Sequence, residues 1–106
     1  MKPVTKENLL EAIQKVEDQG TLLRTEYIGS EGCRCVIGHL MTVGELAHII
    51  ASRQINNKVE LLDLDIAPEE LTTLSDLQQI NDQSEYLEDF LKAARNYMER
   101  HYETSN

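Results

Sequence analysis

Leu87, Phe90, Leu91, Ala94 and Met98 recur at i, i+3, i+4, i+7 and i+11, and this spacing constrains the fold more than any other feature of the chain. At 3.6 residues per turn the five fall in one apolar stripe, which must be buried against other elements to be stable in water. Leu9, Leu10, Ile13 and Val16 form a second stripe, preceded by Thr5, Glu7 and Asn8 as a capped start and followed by Gly20 as a stop. A third opens on Pro68, with Glu69 and Glu70 in the turn where the helix dipole favours negative charge, and runs through Leu71, Leu74, Leu77 and Ile80 to about Asn81. Thr42 and Glu45 have the spacing of a capping box ahead of Leu46, Ala47, Ile49 and Ile50, which predicts a helix over about 43–53. Ser84 is the expected cap of the last helix.

Between the first two helices the pattern changes. Residues 21–28 are rich in β-formers, Gly29, Ser30, Glu31 and Gly32 make a turn signal, and 33–37 can return as a second strand. A hairpin this small is marginal alone and must pack on helices. Residues 59–66 fit either a short strand or a helical turn. The expected fold is therefore mainly α with a small β-hairpin (α+β), about four helices packed as one domain over 1–106. A chain of 106 residues buries on the order of 65% of its unfolded surface without disulfide or metal staples. Trp is absent and Phe90 is the only phenylalanine, so the core must be aliphatic.

The formal charge of −9 argues against nucleic acid and anionic membranes as partners, because both require Lys and Arg to neutralise phosphate. From 59 to 91 there are ten acidic residues and no Lys or Arg. Asp63, Asp65, Glu69, Glu70, Asp76, Glu85, Glu88 and Asp89 are the candidate partner-binding residues, for a basic protein drawn in by long-range attraction. Ordinary solvation of a charged face is the competing reading. The start of the chain has no apolar run resembling a signal peptide, and no stretch of 18 uncharged apolar residues exists elsewhere, so a cytoplasmic protein with reduced thiols is expected. A homodimer built on an apolar stripe is also open.

Cys33, Cys35 and His39 form the densest chemistry in the chain. Thiolate and imidazole ligate zinc, with His48 or a carboxylate as a fourth ligand, but there is no second cysteine pair to close a tetrahedron. Cys35 and His39, four residues apart, share a face if helical and would suit a nucleophile and base, but no orienting third group is evident. A zinc- or thiol-dependent site at these three residues is thus the alternative, set against packing of the thiols as small apolar groups. Residues 42–59 faintly suggest a helix-turn-helix DNA-binding regulator, although Asn57 falls where that motif wants an apolar residue. Asp63 and Asp65 lack the further oxygen donors and glycine of a calcium loop. No P-loop, dinucleotide fingerprint, nucleophile elbow or HExxH motif is present. The balance falls against an enzyme, and no cofactor is expected.

The segment Cys35-Val36-Ile37-Gly38-His39-Leu40, the later Leu74-Ser75-Asp76-Leu77-Gln78-Gln79-Ile80-Asn81-Asp82 and a closing helix with Phe90 resemble a pattern in uncharacterised small proteins of bacteria and their phages. Those read C-x-I-G-x-L, then L-x-x-L-Q-x-I-N/H-D, then an apolar C-terminal helix. The resemblance covers about the last two thirds of the chain and carries no known activity. It implies a phage or mobile-element setting. It also implies that the cysteine-glycine segment and the Gln-Ile-Asn-Asp segment are neighbours, with Asn81 and Asp82 capping a helix end or bonding the hairpin.

Overall fold

The computed structural model describes residues 1–24, 27–29, 32–51 and 66–102. Among them the chain forms four α-helices: α1 (Lys6–Gln19), α2 (Val43–Ala51), α3 (Pro68–Gln83) and α4 (Leu87–His101), with a short 3-10 turn at Gly38–Leu40. Each helix start has a local cause. The Thr5 hydroxyl accepts from Asn8 N at 3.2 Å, and Gly20 ends α1 in the left-handed region at φ 75°, which a Cβ would disfavour. The Thr42–Glu45 box closes both ways, Glu45 N to Thr42 Oγ1 at 3.1 Å and Thr42 N to Glu45 Oε1 at 2.8 Å. At α3, Pro68 occupies the first turn and Glu70 Oε1 accepts from Ala67 N at 3.0 Å.

The α4 stripe lies at the centre. Phe90, Leu91, Ala94 and Met98 are buried, and α4 packs on both α1 and α3. From α1 come Leu9, Ala12, Ile13 and Val16, and from α3 Leu74 and Leu77, all buried. Each large side chain removed from water contributes about 1.5–3 kcal/mol. The 3-10 turn packs on α1 and brings Val36, Ile37 and Leu40 into the same cluster.

Two expectations are corrected. No strand forms among the described residues: the expected hairpin is reduced to one isolated antiparallel bridge between Ile28 and Arg34, held by Gly29 N to Cys33 O at 2.8 Å and Cys35 N to Tyr27 O at 3.4 Å. The ladder stops because the chain turns away after it: Cys35 O, which the next rung would use, accepts from His39 N at 3.1 Å, and Val36 N donates to Asn81 Oδ1 at 3.2 Å; on the outer edge Gln19 Oε1 accepts from Arg34 N at 3.1 Å and Gln19 Nε2 donates to Arg34 O at 2.7 Å. Ser84, the expected cap of the last helix, instead closes α3, its hydroxyl donating to Ile80 O at 2.7 Å. Tyr86 is the residue that precedes α4, without a side-chain cap. The undecided stretch 59–65 and the expected end of α2 past Ala51 lie outside the described residues, as do the turn and recognition helix of the supposed helix-turn-helix.

Candidate functional site

The segment around Cys35 is a structural junction. Cys35 is buried, its Sγ accepts from Gly38 N at 3.3 Å, and burial pushes the thiol up to about 12. It is therefore protonated and inert at neutral pH. His39 follows one turn later, its N–H donating to Cys35 O at 3.1 Å, but the ring points elsewhere: Nε2 lies 3.0 Å from Gln19 Oε1. Arg34 O needs a donor and Arg34 N an acceptor, which fixes the Gln19 amide with Oε1 as acceptor, so His39 donates from Nε2. Cys35 and His39 thus serve separate bonds rather than a nucleophile–base pair. Cys33 is a half-exposed free thiol. Among the described residues no three His, Cys, Asp or Glu side chains converge to hold a metal ion, so Cys33, Cys35 and His39 are not assembled as a ligand set.

Burial pulls the His39 imidazole down to about 4, and the charges of Arg34, Lys15 and Lys2 add to the effect. The folded value lies below the ordinary one near 6.5, so between the two the unfolded chain binds more protons and stability falls with acidification. The expected outcome is a urea midpoint that drops between pH 6.5 and 4. In His39→Gln this slope should be missing from the same window, leaving the carboxylate losses that begin lower.

Asn81 joins the two segments that the sequence pattern places together. It is completely buried; its Oδ1 accepts from Val36 N at 3.2 Å and its Nδ2 donates to Leu23 O at 2.8 Å and Asp82 Oδ1 at 3.0 Å. Gly38 permits the close approach expected of it, since a Cβ there would overlap the Tyr27 carbonyl oxygen. The part played by Gln19 has no signal in the residue pattern. It sits at the last position of α1, where no periodicity marks a polar residue for burial of its amide.

The acidic residues are divided by α3, whose 16 residues span about 24 Å. Glu69 and Glu70 lie in its first turn, where Glu70 is half-buried and engaged by Ala67 N. Asp76 faces α4, its Oδ2 accepting from Tyr97 Oη at 2.9 Å; burial, with this bond, pushes the Tyr97 hydroxyl up to about 12. His101 stacks on Tyr97 at 5.2 Å between centroids, and its Nε2 is 3.1 Å from Thr73 Oγ1. That cluster ties α3 to α4. Asp63 and Asp65 lie outside the described residues.

Glu85, Glu88 and Asp89 are exposed at the corner between α3 and α4. They flank Tyr86, which is 64% exposed. Tyrosine is a poor residue for the position before a helix, where Ser, Thr, Asp and Asn satisfy the free N–H groups. No protein-family model, curated protein or solved structure matches the chain. Among the described residues no helix is long and apolar enough to cross a membrane.

Proposed function

We propose that this chain is a non-enzymatic interaction module that docks a basic protein partner on the corner formed by Glu85, Tyr86, Glu88 and Asp89, acting in the cytoplasm without a cofactor. The carrying observation is an exposed aromatic ring among three exposed carboxylates, in a stretch from 59 to 91 that holds no Lys or Arg. Aromatic anchors inside a charged rim are a common interface arrangement: the ring supplies the contact and the charges steer the encounter. Glu88 and Asp89 also sit in the first turn of α4, where the helix dipole offsets their mutual repulsion. A phage or mobile-element setting rests on the sequence resemblance alone.

The test is affinity capture followed by quantitative mass spectrometry and a salt titration. A basic protein retained at low salt should elute as salt rises from about 50 to 500 mM, because the Debye length shortens and the attraction between exposed charges is progressively screened. Tyr86→Ala should weaken retention about tenfold, as for a central anchor, and Glu85→Lys should reduce the association rate. Retention that ignores both substitutions and salt would remove the reading.

A further inference from the structure

The face of α4 turned away from the core carries Asp89, Ala93, Asn96 and Arg100 at i, i+4, i+7 and i+11, one stripe along the helix. This stripe borders a groove of about 430 Å³ against α3, which Ile80 and Tyr97 also line. Asp89, Asn96 and Arg100 are exposed, and none of the three has an ion pair or side-chain hydrogen bond with a described residue. Lys92, exposed one turn from Asp89, also lines the groove; along the stripe itself the order is acidic Asp89, small Ala93, polar Asn96 and basic Arg100.

We propose that this face docks a second copy of the chain, with two α4 helices antiparallel about a twofold axis. In that arrangement Asp89 of one copy meets Arg100 of the other at both ends, and Ala93 faces Asn96 across the middle. An isologous contact requires a self-complementary surface, and the stripe has that property only when its direction is reversed. A uniformly basic partner would meet Arg100, and a uniformly acidic one would meet Asp89. Ala93 at the centre lets the backbones approach to helix-packing distance, with the Asn96 amide of the other copy set against it. The two Asp89–Arg100 contacts lie about 16 Å apart on each helix, at 1.5 Å per residue. The net charge of −9 opposes association at long range, but at physiological salt that repulsion is screened beyond about 8 Å while contact pairs persist. The surface shares Asp89 with the Tyr86 corner and otherwise runs along α4 away from it, so Arg100→Asp, which leaves the corner untouched, separates the two readings, and the test needs no other protein.

Sedimentation equilibrium of the full chain at physiological salt should show the mass rising from 12.1 kDa toward twice that value as concentration approaches about 1 mM, the range of a small polar interface. Asp89→Arg and Arg100→Asp should each weaken association about tenfold or more, since each replaces two attractive contacts with two repulsive ones. An equimolar mixture of the two variants restores every opposite-charge contact and should associate as the parent chain does. A parent chain that stays at monomer mass overturns the proposal, as does a mixture that stays monomeric while each variant keeps its helical circular dichroism. Isotope-filtered NOEs on the unsubstituted chain give an independent check: Ala93 methyl to Asn96 side-chain contacts between copies are expected, and their absence at concentrations where the dimer mass is reached overturns the antiparallel register.

Discussion

Gly38→Ala is expected to lower the unfolding free energy by about 3 kcal/mol, at the upper end of overpacking costs. The added Cβ would meet the Tyr27 carbonyl oxygen and carbon and the Arg34 Cβ. The first two are backbone and cannot rotate away. Relief by moving Tyr27 is resisted from two sides: its carbonyl accepts from Cys35 N at 3.4 Å, and its buried ring takes a hydrogen bond from Gln78 Nε2 at 2.8 Å. Relief by moving the 3-10 turn is resisted by Arg34, whose Nη1 donates to Gly38 O and Met41 O at 3.4 and 3.3 Å. For a chain of this size the change corresponds to a melting temperature lower by roughly 12–15 °C. Gly44→Ala supplies the opposite sign. Its Cβ finds nothing closer than Thr42 Oγ1 at 3.9 Å, and alanine at a helical position should stabilise by up to about 1 kcal/mol. Equal losses in the two variants would mean that close approach is not what Gly38 provides.

The contrast between these glycines marks what the sequence can disclose. Local rules carried well where both partners lie within a few residues: Thr5 and Asn8, Thr42 and Glu45, Pro68 at the start of α3, Gly20 at the end of α1. The stripe of α4 was legible because its own periodicity names the buried face. The hairpin failed because its second strand turns at once into the 3-10 segment, where Cys35 O is taken by His39 N and Val36 N by Asn81 from 45 residues away, a long-range partner that local β-propensity does not reveal. Ser84 misled for a related reason. Its hydroxyl had two helix ends within reach, and the choice of Ile80 O left Tyr86 at the start of α4.

The candidate site was legible in part. Composition identified an acidic stretch, but charge counting cannot tell a solvated carboxylate from one with an internal partner. Asp76 is held by Tyr97 and Glu70 by the backbone of Ala67, whereas Glu85, Glu88 and Asp89 remain exposed. The aromatic ring among them had no periodic signal, since Tyr86 lies off every apolar stripe. The buried thiol of the densest motif, Cys35, belongs to a junction whose polar centre, Asn81, lies more than 40 residues away from the backbone group it satisfies.

Asn81→Leu therefore tests the junction, with an expected loss of about 2–4 kcal/mol, the cost of leaving the buried Val36 N–H and the part-buried Leu23 carbonyl unpaired. Leucine has the branching of asparagine with methyl groups in place of the amide atoms, so no cavity is left, and the loss combines the orphaned Val36 N–H and Leu23 carbonyl with overpacking. Asn81→Asp separates acceptor from donor. The carboxylate can still accept from Val36 N, but it cannot donate to Leu23 O, and it places charge in a fully buried position next to Asp82. Burial and that neighbour raise the new carboxyl above its ordinary value, so the folded state binds the extra proton and this group contributes stability as pH falls from 7 toward 4. The parent chain should lose stability over much of the same range through His39. His39 titrates in the variant as well, so the two contributions oppose each other there, and a urea midpoint that falls less with acidification than the parent's is the expected result. Parallel slopes would mean that residue 81 is open to water, and the junction would then need another account.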